Sequence, residues 1–179
     1  SRADLVVLSV RRRALPAKDL QAFRSYLESE KPLVALRTAS HAFDARGEGP
    51  ESHAEWPEFD REVLGCNYHG HHGEAPDVTV EAVALNADHQ MLTGIKPPFS
   101  SPATLYRSDP LEDGTTLLLT GKLPGKPLQP VAWTHRYHGA RVFYTSLGDP
   151  EEFDGEDPPI EKMLTNAVFW ALGRNVSSE

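Results

Sequence analysis

The stretch 31–43, KPLVALRTASHAF, decides the fold that we expect for this chain. Its apolar run at 33–36 has the length of a strand, follows a proline, and gives way abruptly to small and polar residues. A continuous apolar run of this length is typical of a buried parallel strand. Open α/β sheets bind their ligands at the carboxyl ends of such strands. We therefore expect RTASH at 37–41 to lie at a functional site.

The residues before this stretch predict one β-α-β unit. The run DLVVLSV at 4–10 is nearly continuous in apolar residues and indicates a second buried strand. Between the two strands, a helix is predicted over about 16–30, because a proline opens it and leucine and phenylalanine recur at helical spacing. A helix that joins two parallel strands gives a right-handed crossover.

The later part of the chain favours antiparallel strands. Alternation at 78–83 and the run 115–120 predict two of them. The runs 131–135 and 141–145 are joined by a short turn with glycine and predict a β-hairpin, in which Trp133 belongs to the core. A last helix is expected over 159–172. The fold class is therefore α/β, a three-layer, flavodoxin-like domain with a mixed, mainly parallel sheet and a late hairpin.

Composition limits the functions open to this chain. Its 179 residues, 39% apolar and 25% charged, describe one globular domain over 1–179. The net charge of −8 argues against nucleic acid as a partner, and no apolar run is long enough to cross a membrane. The basic cluster Arg11–Arg12–Arg13 is interpreted as solvated or salt-bridged. We expect a soluble protein, cytoplasmic or, after processing, periplasmic or secreted.

Three segments together resemble the ThuA-like family, which is named for trehalose utilisation and has the fold of class I glutamine amidotransferases. They are KPLVALRTASHAF, WPEFDREVLGCNYHGHH at 56–72, and PVAWTHRYHGARVFYTSLGDPEEF at 130–153 followed by NAVFWALGR at 166–174. The resemblance implies a role in carbohydrate metabolism. Such proteins begin with a further strand and helix that are absent ahead of the strand at 4–10. Either that unit was removed, or this protein completes its sheet differently, for example through a partner chain in a homo-oligomer.

The resemblance also allows a test for glutamine amidotransferase chemistry. Those enzymes place a cysteine nucleophile just after a strand and activate it with a histidine from a later segment. In this sequence Arg37 falls at the position of the cysteine and Asp149 at the position of the histidine. Arginine cannot be deprotonated to act as a nucleophile. The resemblance therefore implies a protein without glutamine amidotransferase activity.

Histidines are concentrated in the segment 67–73, NYHGHHG, which we call the histidine loop. In an extended segment His69 and His71 point the same way, a spacing that a divalent metal can use. His89 is the third ligand that we name for such a metal site. The other residues that could complete it are His41, Glu74 and Asp149.

A second interpretation needs no metal. His69, His71 and Arg37 would line a polar pocket, where the histidines transfer protons and the arginine holds an oxygen of a sugar. The residues expected to contact the ligand beside them are Thr38, Ser40, His41, Tyr68, His72, His135, Tyr137 and Asp149. A serine hydrolase built on Ser40 and His41 is not favoured, because adjacent residues in a turn seldom reach nucleophile-to-base geometry.

Three functions remain open at this point. The first is a sugar-processing enzyme, of isomerase or hydrolase type, that acts on a glucoside or an oxidised sugar. The second is a non-catalytic binding module that reuses an amidotransferase-like fold. The third is a metal-dependent hydrolase that uses the histidine loop.

Overall fold

The computed structural model describes residues 2–73, 77–154, 156 and 158–176. Within these ranges the chain forms two α-helices, α1 (Ala17–Glu28) and α2 (Pro159–Ala171). The strands are β1 (Val6–Leu8), β2 (Leu15–Pro16), β3 (Leu33–Leu36), β4 (His53–Ala54), β5 (Val78–Ala82), β6 (Phe99–Ser101), β7 (Thr116–Lys122), β8 (Gln129–Tyr137) and β9 (Ala140–Thr145). Both predicted helices are confirmed, and their ends lie within two residues of the expected bounds.

Seven strands form one mixed sheet in the order β1-β3-β9-β8-β7-β5-β6, and β2 pairs with β4 separately. β1, β3 and β9 run parallel, whereas the four pairings that continue the sheet from β9 to β6 are antiparallel. The mixed sheet is confirmed, but the expectation that it is mainly parallel is wrong. A parallel connection needs a crossover of a dozen or more residues. The links from β7 to β8 and from β8 to β9 are too short to provide one.

The β8–β9 hairpin turns through His138 and Gly139, whose φ angles are 49° and 93°. Positive φ at both central residues matches the turn type that suits the twist of a two-residue hairpin. Glycine adopts this conformation without a steric penalty. The late hairpin predicted from the sequence is therefore confirmed.

Two buried clusters cover opposite faces of the parallel strands. Val34 of β3 packs in one cluster with α2 residues such as Met163, whereas its neighbour Leu33 packs in the other with Leu20 and Leu27 of α1. Successive residues of a strand point to opposite faces of its sheet. The arrangement of helix, sheet and helix is the three-layer α/β architecture that the sequence predicts.

The parallel strands bring three segments of the chain to one edge of the sheet. Arg11 and Arg12 follow β1, a short 3-10 helix at Arg37–His41 follows β3, and 146–149 follow β9. Hydrogen bonds from Arg12 N to the His41 carbonyl (3.0 Å) and from Arg13 N to the Ala42 carbonyl (2.7 Å) tie two of these segments together. This edge is where the expected site lies.

Neither α-helix in the described part of the chain is long and apolar enough to cross a membrane.

Candidate functional site

An open cleft of about 930 Å³ lies beyond the carboxyl ends of β1 and β3. The segments after these strands form one wall, and the histidine loop with 104–107 forms the other. Many residues that the sequence singles out line this cleft: Arg37, Thr38, Ser40, His41, Tyr68, His69 and His71. The structure therefore brings together the proposed proton-transfer groups and four of the eight proposed ligand contacts.

Arg37 occupies a strained turn directly after β3. Its φ of 50° lies in the left-handed region, which is uncommon for residues other than glycine. The Arg37 carbonyl accepts a hydrogen bond from the Tyr144 hydroxyl (2.8 Å), and the guanidinium donates to the Ser146 carbonyl (3.1 Å). Arg37 Nη2 also lies 2.7 Å from Asp149 Oδ2. The two residues that the family resemblance aligns with the amidotransferase cysteine and histidine thus form an ion pair with each other.

The histidine loop runs beside residues 105–108 and is held by main-chain hydrogen bonds. His69 N donates to the Arg107 carbonyl (3.0 Å), and Arg107 N donates to the Gly70 carbonyl (2.9 Å). His69 Nδ1 lies 2.9 Å from the Asn67 carbonyl, and His71 Nδ1 lies 3.0 Å from the His72 carbonyl. A carbonyl oxygen only accepts, so each contact places the ring proton on Nδ1. In the neutral histidines Nε2 is then the basic nitrogen.

An aromatic surface, formed by His41, Tyr68 and Tyr106, is part of the lining of the cleft. The His41 and Tyr68 rings stack with their centroids 4.5 Å apart, and the Tyr106 ring lies 5.0 Å from Tyr68 and 6.1 Å from His71. The Arg37 guanidinium lies 5.2 Å from the centroid of Tyr106. Burial raises the pKa of both tyrosines, so their hydroxyls stay protonated at neutral pH and can donate hydrogen bonds.

Tyr106 is a site residue that the sequence does not reveal. The sequence indicates only a strand candidate at 105–106, and Tyr106 there has no feature that separates it from a core residue. It reaches the cleft because it pairs with His71 in an isolated antiparallel bridge. A contact between segments some 35 positions apart in the chain leaves no local pattern.

Ser40 and His41 meet, contrary to the geometric expectation. Ser40 Oγ lies 3.1 Å from His41 Nδ1, and both side chains are buried. Burial, followed by the nearby Arg12 and Arg11, lowers the pKa of His41 to about 4. A base with so low a pKa is poorly matched to deprotonating a serine at neutral pH. The contact therefore orders the turn rather than activating Ser40.

His41 predicts a loss of stability in acid. Its pKa is about 4 in the folded protein and about 6.5 in an unfolded chain. Below about pH 6.5 the unfolded chain binds a proton that the folded protein does not. The contribution of His41 to the free energy of unfolding is therefore fully present above about pH 6.5 and decreases as the pH drops towards 4. By linkage, this group alone removes about 2 kcal/mol of the free energy of unfolding between pH 7 and pH 5.

Urea unfolding of the wild type and of His41→Asn at pH 7 and pH 5 measures this contribution. The variant should lose about 2 kcal/mol less than the wild type over that interval. His72, His89 and His135, whose pKa values burial also lowers, act in the same direction in both proteins and cancel in the comparison. An equal loss in the two proteins would contradict the assignment to His41.

Several arginines of the cleft were not expected there. The cluster Arg11–Arg13 is partly salt-bridged as interpreted, since Arg12 Nη1 lies 2.8 Å from Asp44 Oδ2. However, Arg11 and Arg12 also line the cleft. Their position in the sequence could have identified them as cleft residues, because they follow the first parallel strand just as Arg37 follows β3. Arg46 and Arg107 also line the cleft and carry no such signal.

Asp60 anchors the histidine loop from beneath. Its carboxylate accepts hydrogen bonds from the main-chain N–H groups of Tyr68 (2.9 Å) and Arg61 (2.8 Å). Burial raises the pKa of Asp60 above its ordinary value. The residue lines the cleft, so it is another site residue that the sequence does not reveal.

Five residues named from the sequence lie outside the lining of the cleft. His72 has a buried Nε2 with no partner among the described residues. His89 accepts a hydrogen bond from Met91 N, and its ring lies 6.4 Å from Trp170 of α2. The remaining three make other contacts: His135 with Thr115 (3.0 Å), Tyr137 with Trp56 (6.1 Å between ring centroids), and Asp149 with Arg37.

The metal ligands named from the sequence are not assembled. His69 and His71 both line the cleft, but His89 packs beside α2 instead. Glu74 lies outside the described residues. In the described ranges, no group of three or more His, Cys, Asp or Glu side chains is placed to hold a metal ion.

Comparisons with known proteins agree with this architecture. A solved ThuA-like protein from Bacteroides uniformis superposes with a TM-score of 0.70 at 18% identity, over 96% of this chain and 70% of that protein. A ThuA-like protein from Parabacteroides merdae gives 0.65 at 18% identity, over 97% and 72%. A β-galactosidase from Rahnella sp. R3 gives 0.63 at 14% identity, over 95% of this chain but only 23% of the enzyme. At such identities these likenesses show the fold alone.

No curated protein matches the chain. A family model described as ThuA, trehalose utilisation, matches residues 1–171, which is nearly the whole sequence. This match associates the chain with carbohydrate metabolism. The chain belongs to the ThuA family.

Proposed function

We propose that the cleft binds a glucoside or an oxidised sugar and that His69 and His71 transfer protons on it. One observation carries the proposal: both histidines are fixed through Nδ1 to main-chain carbonyls beside an aromatic surface in one cleft. This arrangement leaves each Nε2 as a base or, once protonated, an acid. The family's association with trehalose utilisation supports a sugar as the ligand.

The shape and chemistry of the cleft suit a sugar. A sugar ring has an apolar face that can lie against an aromatic side chain, while its hydroxyls need donors and acceptors. Tyr68 is partly exposed and supplies the accessible aromatic ring, whereas Tyr106, 5.0 Å from it, is only 5% exposed. Thr38 and Ser40 are polar neighbours on the opposite wall. The site therefore combines a stacking surface with hydrogen-bonding groups around it.

Two histidines suggest the type of reaction. One Nε2 can accept a proton from a carbon or hydroxyl next to a carbonyl, and a second imidazolium can return a proton elsewhere, which isomerises an oxidised sugar. The same pair can activate water and protonate a leaving oxygen in a hydrolysis. Arg37, fixed by Asp149, would hold a ligand oxygen in either case. We propose no glutaminase activity, since a guanidinium occupies the nucleophile position.

Titration of the protein with methyl glucoside and with a glucoside oxidised to a ring ketone tests the proposal. Two-bond ¹H–¹⁵N spectra resolve the ring nitrogens of each histidine. We expect saturable shifts at Nε2 of His69 and His71, with Nδ1 protonated in both before sugar is added. His53 and His138, which do not line the cleft, serve as internal controls. Shifts confined to the controls, or none with either sugar, would contradict the proposal.

The Arg37–Asp149 ion pair favours a second candidate, a non-catalytic binding module. Its two residues align, by the family resemblance, with the amidotransferase nucleophile and base, and a fold that lacks both can bind a ligand without turnover. Saturable shifts at His69 and His71 with no conversion of either sugar would select this candidate.

A further inference from the structure

The cleft carries an unusual concentration of positive charge. The whole chain has a net charge of −8, yet five guanidinium groups converge on this one cleft, against two carboxylates, those of Asp44 and Asp60. The five arginines are Arg11, Arg12, Arg37, Arg46 and Arg107. A positively charged cleft raises the local concentration of anionic ligands, even in a protein whose net charge is negative.

Only part of this charge is neutralised by the protein. Arg12 pairs with Asp44 and Arg37 pairs with Asp149. Arg11, Arg46 and Arg107 have no ion-pair partner among the described residues. Three guanidinium groups around the cleft are therefore available to a ligand.

Arg107 is held in position to receive an anion. Its Nη2 donates to the His69 carbonyl (2.7 Å), and its Nε is buried without a partner among the described residues. A Cβ at Gly70, where φ is 112°, would come within 2.8 Å of Arg107 Nη2, so the glycine makes room for the guanidinium. A buried donor without an acceptor is costly unless a ligand or water supplies one.

Three of the five arginines of the cleft have strained backbone conformations. Arg12, Arg37 and Arg46 have φ angles of 46°, 50° and 58°, so three of the five adopt the left-handed conformation. Each such residue costs of order 1 kcal/mol and persists where surrounding contacts impose it. Here Arg12 N donates to the His41 carbonyl (3.0 Å), and Arg46 N donates to Asp44 Oδ1 (3.2 Å). Strained residues cluster at ligand-binding sites more often than elsewhere, so the concentration of three in one cleft supports a binding role for it.

From these observations we infer that the ligand of the cleft is an anionic sugar, whose carboxylate or phosphate group is bound by Arg11, Arg46 and Arg107. Guanidinium groups recognise carboxylate and phosphate through paired, charge-assisted hydrogen bonds. The anionic group would lie between Arg107 on one wall and Arg11 on the other, with the sugar ring beside Tyr68 near the histidines. This inference rests on the proposed function and narrows its substrate class.

Calorimetric titration with four probes at about 50 mM salt tests the inference. The probes are glucuronate, glucose 6-phosphate, neutral methyl glucoside and inorganic phosphate alone. We expect at least one charged sugar to bind about tenfold or more tightly than methyl glucoside. Whether glucuronate or glucose 6-phosphate binds better then distinguishes a carboxylate from a phosphate. Arg11→Gln combined with Arg46→Gln should remove most of this preference, whereas Arg174→Gln, an exposed arginine outside the cleft, should not.

The outcomes separate this inference from the proposed function. Equal affinity for charged and neutral sugars, unchanged in the double arginine variant, would overturn the anionic ligand but leave a sugar site. Phosphate alone binding as tightly as glucose 6-phosphate would overturn the inference, because the sugar would then contribute nothing. Absence of binding by every probe would overturn it as well. The shifts at the histidine rings test the sugar site without reference to the arginines.

Discussion

Turnover is expected to fall by about 10²- to 10⁴-fold when His69 and His71 are both replaced by alanine. The reason is that both ring nitrogens proposed to transfer protons are removed, while the stacking surface of Tyr68 and Tyr106 remains. Binding of the sugar should change much less than the rate. The measurement is kcat and KM for the glucoside or oxidised sugar that the wild type converts.

Both histidines are exposed, and their ring Nδ1 atoms bond to main-chain carbonyls of their own loop. The only other polar contact of either ring among the described residues is at the surface, where His69 Nε2 lies 3.8 Å from Asp109 Oδ1, so the substitution should leave the fold intact. A thermal unfolding midpoint close to that of the wild type checks this expectation. His53→Ala, a histidine outside the cleft, is the matched control and should keep the wild-type rate. An unchanged kcat in the double variant would contradict the catalytic assignment.

The free energy of unfolding is expected to fall by about 3–5 kcal/mol in Trp133→Ala. Trp133 is fully buried in β8, and its ring lies 4.7 Å from that of Tyr144. Its Nε1 donates a hydrogen bond of 2.7 Å to the Leu64 carbonyl, at the end of the segment that leads into the histidine loop. The substitution therefore opens a cavity and releases a buried acceptor together. Equilibrium unfolding in urea measures the loss.

Two further variants separate these contributions. Trp133→Phe keeps an aromatic ring but loses the hydrogen bond to Leu64, and should cost roughly 1–3 kcal/mol. Leu85→Ala removes a side chain that is 95% exposed and should change stability by less than about 0.5 kcal/mol. A loss below about 1 kcal/mol in Trp133→Ala would contradict the role of this tryptophan in the core.

The sequence predicts both α-helices and six of the nine strands in the described ranges because their signals are local, whereas it does not indicate the short strands β2, β4 and β6. The apolar run at 33–36, the helical spacing before it and the glycine turn at 138–139 each determine nearby structure. The proportion of parallel strands was misjudged, since strand order depends on pairings between distant segments. β9 shows this best: the short turn before it predicts its antiparallel pairing with β8, whereas nothing in its own sequence predicts its parallel pairing with β3.

The sequence predicts the part of the candidate site that directly follows a parallel strand. Arg37 to His41 follow β3, and the structure places them in the cleft with His69 and His71. The sequence does not predict that Tyr106, Asp60 and Arg107 line the cleft, because each is positioned by contacts with distant segments of the chain. The Ser40–His41 contact was not expected from the sequence, because adjacent residues in a turn seldom come within hydrogen-bond distance. Here the tight 3-10 turn brings the two side chains together.

The most direct test of the central claim, that the chemistry resides in the histidines of the cleft, is chemical rescue of the double histidine variant. Added imidazole can enter an open cleft and supply the missing base and acid. We predict that kcat of His69→Ala/His71→Ala rises with imidazole concentration and saturates, while the wild-type rate does not change. A variant that turns over as fast as the wild type without imidazole, or that stays inactive at saturating imidazole although it still binds the sugar, would contradict the account.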